Sequence, residues 1–356
     1  MIEIAICDDE VYMTSEIEEM LRKMCELYNV AAEIDVFYDG STLVDYIEKG
    51  ANYDIIYLDI EMKHKNGVEA ARRIRKTLNN KNMEIPSFNA LIQKSIVDHW
   101  DMDALTDYKG ATLQYHDVAR KIEKLHIMFE NSGVVKGDKI ALCGRNSANW
   151  AVAFLATLTY GAIAVPILHE FMPDQIHNIV NHSDAKLLFV GDVVATQVDA
   201  TKMPGLEGII YIPDYSLVVS RTDKLTYARE HLNEMFGIKY PKYFRKNHVN
   251  YYMDQNPDEL AMINYTSGTT GFSKGVMVPY RALWGNADFA EDVLGKKIKP
   301  GDSVISILPM AHMYGMAFEF IFEFIKGCHV FYLTRIPSPA IIAEAFGRIK
   351  PAVIIA

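Results

Sequence analysis

Two groups of residues have the types and spacing to do chemistry. The first is the string Tyr265-Thr266-Ser267-Gly268-Thr269-Thr270-Gly271-Phe272-Ser273-Lys274-Gly275. Glycines without a Cβ let a run of backbone N–H groups approach an anion closely. The hydroxyls add donors and Lys274 adds a positive charge, so the string suits binding and neutralisation of a polyphosphate. It is not a Walker A loop, because Gly275 rather than Ser or Thr follows the lysine. A Ser/Thr/Gly surface loop shares the composition, but eleven ordered positions ending in Lys favour the phosphate reading. The second group is Asp8, Asp9 and Asp59. An acid after a strand is often only a turn or cap residue. Three at neighbouring strand ends repel one another unless a hard cation is held there, and magnesium, with oxygen ligands and retained waters, fits best.

The elements that must position these groups are legible. Glu3–Cys7, Glu33–Phe37 and Asp54–Leu58 read as strands, the last as a continuous apolar run covered on both faces. Between them lie a helix carrying Ile17, Met20, Leu21, Met24 and Leu27, capped by Thr14 or Ser15, and a short helix over Thr42–Glu48. Gly67 opens a third helix with Val68, Ala71 and Ile74 on one face. The alternation predicts a parallel sheet with helices on both sides, whose strand ends converge on one crevice. From Met83 onward a new α/β pattern begins: a helix near Asn89, an amphipathic helix over Thr112–Phe129, a turn at Gly137-Asp138 and a strand over Lys139–Cys143. Leu260–Asn264, after the Pro257-Asp258-Glu259 turn, is a short strand leading into the glycine-rich string.

Trp150–Leu168 runs 19 residues without a charge, just long enough to span a membrane. Its punctuation favours a buried helix capped by Asn146-Ser147 and ended by Gly161, then a strand at Ala162–Ile167, so no transmembrane segment is expected. Residues 200–258 are broken by prolines, and the aromatic and basic tract around Tyr240, Tyr243, Phe244, Arg245, Tyr251 and Tyr252 reads as a solvated, loosely packed excursion rather than a nucleotide or nucleic-acid contact.

The bulk properties limit the functional classes. At 356 residues and 50% hydrophobic, the chain has material for two or more cores and is not disordered. A net charge of -10 argues against nonspecific nucleic-acid binding. Residues 1–82 carry 10 basic and 17 acidic residues, so a quarter of the length holds most of the excess charge. Cys7, Cys25, Cys143 and Cys328 form no CxxC pair, and the acidic start MIEIAICDDE is unlike a signal peptide; both suit a reducing, cytoplasmic location.

Residues 1–78 resemble a response-regulator receiver domain of the kind that precedes LytTR-type DNA-binding domains, most strongly in LDIEMKHKNGVEAARRIR. The resemblance implies that Asp59 is the phosphoacceptor for a histidine kinase. It also implies that Asp8 and Asp9 hold magnesium with Asp59, and that the Glu61 carbonyl completes the metal site. The string at Tyr265–Gly275 resembles the phosphate-binding signature of the AMP-forming adenylate-forming superfamily, with Ser273 where many members have Pro. Leu308-Pro309-Met310-Ala311-His312-Met313-Tyr314-Gly315 resembles that family's segment near the acyl pocket, and weaker matches lie at Gly137–Ala141, Asn146–Trp150 and Lys350–Val353. The flavour is closest to fatty-acid–CoA ligases.

What this implies is a two-step reaction using ATP, Mg2+ and CoA. Thr266, Ser267, Gly268, Thr269, Thr270, Gly271 and Lys274 would cradle the β- and γ-phosphates. His312 would orient the acid, with Lys274 and His312 as the catalytic pair; a lone His after a strand is otherwise more often packed core. Met310, Met313, Met316 and Phe318 would line an acyl channel, unless they are core.

The expected fold class is therefore α/β: an incomplete flavodoxin-like receiver over 1–82, then an incomplete adenylate-forming N-terminal domain over 83–356, with parallel and mixed sheets covered by helices. The receiver pattern stops after Leu78, which would leave the third strand as an open apolar edge. Ile354-Ile355-Ala356 stands inside a strand pattern, and the adenine, ribose and hinge motifs and the catalytic Lys of the family are not in the sequence, so the fragment is expected to be inactive alone. The abrupt change at Asn82/Met83 favours an artificial or misassembled junction over a receiver that regulates a ligase. A non-catalytic nucleotide-binding module is the third reading.

Overall fold

The computed structural model describes residues 2–59, 62, 67–79, 87–251, 256–266, 274–333 and 338–353. The chain divides into two compact units, Met1–Glu84 and Ile85–Ala356. The Asn82/Met83 junction lies outside the described residues.

The first unit runs β1 (Ile2–Cys7), α1 (Val11–Leu27), β2 (Ala32–Phe37), α2 (Gly40–Glu48), β3 (Ile55–Leu58) and α3 (Gly67–Asn79). Its three strands pair in parallel in the order β2-β1-β3, the beginning of a flavodoxin-like sheet. Alternation along β1 splits the core: Ile4 and Ile6 pack with Leu21 of α1, whereas Ala5 and Cys7 pack with Leu43, Val44 and Ile47 of α2 and Ala70 and Ile74 of α3.

Two expectations need correction. The first helix starts at Val11, so Thr14 is inside it and donates its hydroxyl to the Val11 carbonyl instead of capping. β3 is not covered on both faces. Ile55 and Tyr57 pair with Ile4 and Ile6 and so face the α1 side, yet α1 packs on β1 and β2, leaving Ile55 and Tyr57 41% and 40% exposed. As the pattern implied, β3 is an edge among the described strands.

The second unit opens with α4 (Phe88–Asp98), β4 (Asp103–Asp107), β5 (Thr112–Gln114), α5 (Tyr115–Ser132), β6 (Lys139–Cys143), α6 (Ala148–Tyr160) and β7 (Ile163–Ile167). There follow α7 (Pro173–His182), β8 (Ala185–Val190), α8 (Asp192–Ala195), β9 (Gly208–Tyr211), β10 (Leu217–Ser220), α9 (Asp223–Glu230) and α10 (Leu232–Lys239). It continues with β11 (Leu260–Thr266), β12 (Lys274–Pro279), α11 (Tyr280–Leu294), β13 (Ser303–Ser306), α12 (Met313–Met316), a π-turn (Ala317–Ile321), α13 (Phe322–Lys326), β14 (His329–Tyr332) and α14 (Pro339–Ile349). A seven-stranded sheet has the order β10-β9-β8-β6-β7-β11-β12, and a four-stranded sheet the order β13-β14-β4-β5. Both are mixed: β10, β12 and β5 are antiparallel edges on parallel interiors.

α6 packs on β6 and β7 of one sheet and on β4 of the other. Its apolar residues are therefore buried all round, which is why the sequence imitates a membrane span. Ser147 accepts the Trp150 N–H, and Gly161 ends the helix at φ 88°. The Thr157 and Thr159 hydroxyls return to the Ala153 and Leu155 carbonyls, so the buried helix strands neither. Among the described residues no helix is long and apolar enough to cross a membrane. The helix expected from Thr112 begins at Tyr115, its first three residues being β5; Val118, Ile122, Leu125 and Phe129 are fully buried on its inner face.

The tract from Tyr240 is solvated in part, with Tyr243 70% exposed and Arg245 exposed, but it is also anchored. Phe244 packs between Trp100, Phe236 and Tyr240, and Tyr251 is 4% exposed; Tyr252 lies outside the described residues.

Candidate active site

β11 and β12 form an antiparallel hairpin in which Thr266 stands opposite Lys274. The two ends of segment 267–273 thus meet across one ladder rung. Ser267, Gly268, Thr269, Thr270 and Gly271 lie outside the described residues; Thr266 and Lys274 are exposed at the base of the segment. Gly275 sits beside Tyr265, and a Cβ there would fall 2.9 Å from Ile263 and 3.1 Å from the Tyr265 ring. The tyrosine is fixed: it is buried, with its hydroxyl 2.7 Å from His182 Nδ1. A larger residue at 275 would have to push the strand away from it.

Two residues below Thr266, buried Asn264 donates from Nδ2 to the Ala311 carbonyl at 2.9 Å. This ties the hairpin to the segment that carries His312. Two more side chains hold that segment. Asn146 donates from Nδ2 to the Leu308 carbonyl at 2.7 Å and accepts the Met310 N–H on Oδ1 at 2.8 Å. Glu319 Oε2 accepts the Ile307 and Leu308 N–H groups at 2.8 and 2.7 Å. Gly315 closes the turn where any Cβ would lie 2.8 Å from the Pro309 carbonyl oxygen. His312 itself is exposed at the N-terminus of α12, and its Nδ1 accepts the Tyr314 N–H at 3.4 Å. In the neutral ring that leaves Nε2 carrying the proton, with no hydrogen-bond partner among the described residues.

Glu319 was not foreseen, nor was Asn264 as a tether. Glu319 lies on the π-turn, a feature common at functional sites. Burial pushes its carboxyl up to about 7, although the N–H bonds from Leu308 and Ile307 pull it down. Burial holds Glu323, one turn later, well above the usual carboxylate range. The available signal was two acids four apart in the apolar run MAFEFIFEFI. Met310 and Met316 are buried in the main core and Met313 is half-buried against it, while Phe318 packs with the Ala290–Ile298 cluster. The methionines at 310 and 316 are therefore core, not channel lining.

In the first unit, one carboxylate oxygen from each of Asp8, Asp9 and Asp59 lies within 4.8 Å of the others, all partly buried. The strand ends bring them there: the Asp59 N–H reaches the Cys7 carbonyl at 2.9 Å and the Asp8 N–H the Phe37 carbonyl at 3.1 Å. The all-oxygen donor set fits a hard divalent cation. Glu61 lies outside the described residues. Cys7, just beneath, has its thiol pushed up to about 12 by burial, then by Asp39, Asp8 and Asp59.

A family model described as AMP-binding enzyme matches residues 92–356, and one described as response regulator receiver domain matches residues 4–93. The long-chain-fatty-acid–CoA ligase 6 of Mus musculus is 29% identical over 235 residues, covering 61% of this chain and 31% of the relative. The peroxisomal long chain acyl-CoA synthetase 7 of Arabidopsis thaliana is 30% identical over 193 residues, covering 52% and 26%. The chain thus spans about a third or less of the length of these relatives. Among solved structures, a red-emitting luciferase from Phrixothrix hirtus aligns with a TM-score of 0.63 at 17% identity, covering 74% of this chain and 49% of its own. ATP-bound MatB from Rhodopseudomonas palustris aligns with a TM-score of 0.58 at 21% identity, covering 73% and 48%. These likenesses establish the adenylate-forming N-terminal fold. The β11–β12 hairpin and the tethered His312 segment both fall inside the region matched from residue 92 to 356, behind a receiver domain in the sequence, and the chain belongs to the AMP-binding enzyme family.

Proposed function

We propose that residues 83–356 supply the phosphate-gripping and acid-positioning part of an ATP-dependent ligase that activates a long-chain fatty acid for transfer to CoA. The carrying observation is the pairing of Thr266 with Lys274 at the mouth of β11–β12, two residues from the Asn264 tether to Ala311. A carboxylate oxygen attacks the α-phosphorus of ATP, the α–β anhydride bond breaks, and pyrophosphate leaves with that electron pair. The thiolate of CoA then attacks the acyl carbon and AMP departs. Here the protein's contribution is positioning and charge stabilisation. Thr266, Ser267, Gly268, Thr269, Thr270, Gly271 and Lys274 grip the β- and γ-phosphates, and His312 orients the acid through Nε2. Magnesium entering with ATP would supply further neutralisation of the phosphate charge beside Lys274.

The test is nucleotide binding. A fluorescent ATP analogue binds the wild-type chain, and Lys274→Ala weakens it about tenfold or more, as expected for a charged hydrogen bond of ~1.5–3 kcal/mol. Unchanged affinity defeats the reading. With the adenine and ribose motifs not among these 356 residues, the polypeptide tested alone gives pyrophosphate exchange at background.

For residues 1–82 the carboxylate triad supports a second role, phosphoryl acceptance at Asp59 from a histidine kinase, with Asp8, Asp9 and the Glu61 carbonyl around magnesium. Both roles fit a cytoplasmic protein that binds no nucleic acid.

A further inference from the structure

In the second unit a cleft of about 480 Å³ opens where α5 meets α9, the start of α10 and the β9–β10 turn. Four cations line it, Arg120, Lys121 and Lys124 from α5 and Arg229 from α9, against two acids, Asp117 and Asp214. Such an excess is unexpected in a chain of net charge -10.

The cations are poorly neutralised. Arg120 has a carboxylate partner, Asp117 at 3.0 Å, but that carboxylate also accepts the Gln114 N–H as a helix cap. Lys124 donates to the neutral Asn233 amide oxygen at 2.7 Å and lies over the Phe236 ring. Lys121 stands 5.5 Å from the Tyr215 ring centre. Arg229 donates to the Tyr215 and Asp214 carbonyls at 2.5 and 3.4 Å, while the Asp214 carboxylate caps the Ser216 N–H. Three of the four make their hydrogen bonds or ring contacts with neutral groups; Asp117 and Asp107 act on Lys121, and Asp214 on Arg229, only through space, and Lys124 is crowded by Lys121, Arg120 and Arg229. Burial first, then Lys124, lowers the Lys121 ammonium against the pull of Asp117 and Asp107; burial, Arg120 and Arg229 lower Lys124. An anion in the cleft would relieve this repulsion.

We propose that this cleft binds an organic phosphate. A doubly charged group with three acceptor oxygens can meet two ammonium groups and a guanidinium at once. The volume lies in the range of small-ligand pockets, about 300–1,000 Å³, and exceeds what a bare phosphate fills. Leu113, Leu125 and Leu232 give the remainder an apolar wall. The site is separate from the phosphate loop: the β9–β10 turn and the β11–β12 hairpin belong to opposite ends of the seven-stranded sheet, roughly 20 Å apart at ~4.8 Å per strand.

The experiment is amine acetylation of the whole 356-residue chain, mapped by mass spectrometry. Inorganic pyrophosphate stands for a soluble phosphate, and phosphatidylcholine vesicles with and without phosphatidic acid stand for a lipid headgroup. Pyrophosphate, the acidic vesicles, or both lower acetylation of Lys121 and Lys124 at least fivefold, while exposed Lys202 is unchanged. The protection persists in Lys274→Ala, and in Lys124→Gln the protection of Lys121 drops to less than twofold. Protection by acidic vesicles alone identifies a headgroup as the source of the phosphate. No protection by either probe, equal protection by sodium chloride at matched ionic strength, loss in Lys274→Ala, or full protection of Lys121 in Lys124→Gln overturns the proposal.

Discussion

Glu319 offers the sharpest test of how the His312 segment is held. Its side chain is fully buried, and one oxygen takes both the Ile307 and Leu308 N–H groups. Its other oxygen has no hydrogen-bond partner among the described residues and is where a proton can sit. The carboxyl titrates at about 7 in the folded unit, raised from 4.5 by burial. The folded state therefore holds the proton more tightly than the unfolded chain. The stabilising contribution is complete below pH 4.5 and declines as pH rises to 7, after which it is flat. Linkage over pH 5.5 to 8.5 gives a loss of about 2 kcal/mol from this group. Glu319→Gln keeps an acceptor for the two N–H groups but cannot ionise. Urea unfolding can be followed by tryptophan fluorescence, which reports the second unit alone because Trp100, Trp150 and Trp284 all lie there. Relative to Glu319→Gln, wild type should lose about 2 kcal/mol between pH 5.5 and 8.5. Parallel stability profiles for the two proteins would refute the reasoning. Glu319→Ala, which strands two backbone donors, should cost about 2–5 kcal/mol at every pH.

Other consequences follow from the same geometry. Gly315→Ala should destabilise the second unit by about 1–3 kcal/mol in urea, because the new methyl meets the Pro309 carbonyl oxygen and Leu308 Cβ. Asn146→Ala removes the hydrogen bonds to Leu308 and Met310 and should cost about 2–3 kcal/mol by the same assay, whereas Asn149→Ala, which removes one hydrogen bond from a half-exposed amide to the Pro213 carbonyl, should cost only about 1 kcal/mol. Asp59→Asn should weaken magnesium binding to the first unit at least tenfold by titration calorimetry; an unchanged isotherm would remove the carboxylate triad as a cation site. Ile55→Lys on the open side of β3 should reduce concentration-dependent association in sedimentation velocity, since it places a charge on an apolar edge.

What was legible in the sequence was local, and what was not depended on partners far along the chain. The ends of α6 were readable because Ser147 and Gly161 act on their own helix. The three acids were readable because each closely follows a strand, Asp8 and Asp9 after β1 and Asp59 after β3. β3 was misjudged because DIIYL reports only that the strand is apolar; whether a helix covers Ile55 and Tyr57 depends on where α1 settles, over β1 and β2. The anchoring of the aromatic tract at Phe244 and Tyr251 was missed for a similar reason. Its prolines suggested an excursion, but Phe244 finds Trp100, more than a hundred residues earlier.

The same distinction explains the site. The glycine-rich string announces itself, yet the tie from β11 to the segment carrying His312, and the hold on that segment, rest on Asn264, Asn146 and Glu319, none of which belongs to either motif. Each gives side-chain hydrogen bonds to backbone groups of segment 307–311, which has no strand partner among the described residues to satisfy them. A buried backbone outside a ladder must be answered by side chains. A polar residue embedded in an apolar run, as Glu319 is in MAFEFIFEFI, is where such an answer should be sought. Glu323, equally embedded, has neither carboxylate oxygen bonded among the described residues, so by that logic it is held neutral. Glu323→Leu should therefore stabilise the second unit by about 1–3 kcal/mol in urea, with a gain that grows as pH rises, and a loss instead would mean that the carboxyl has a partner that matters.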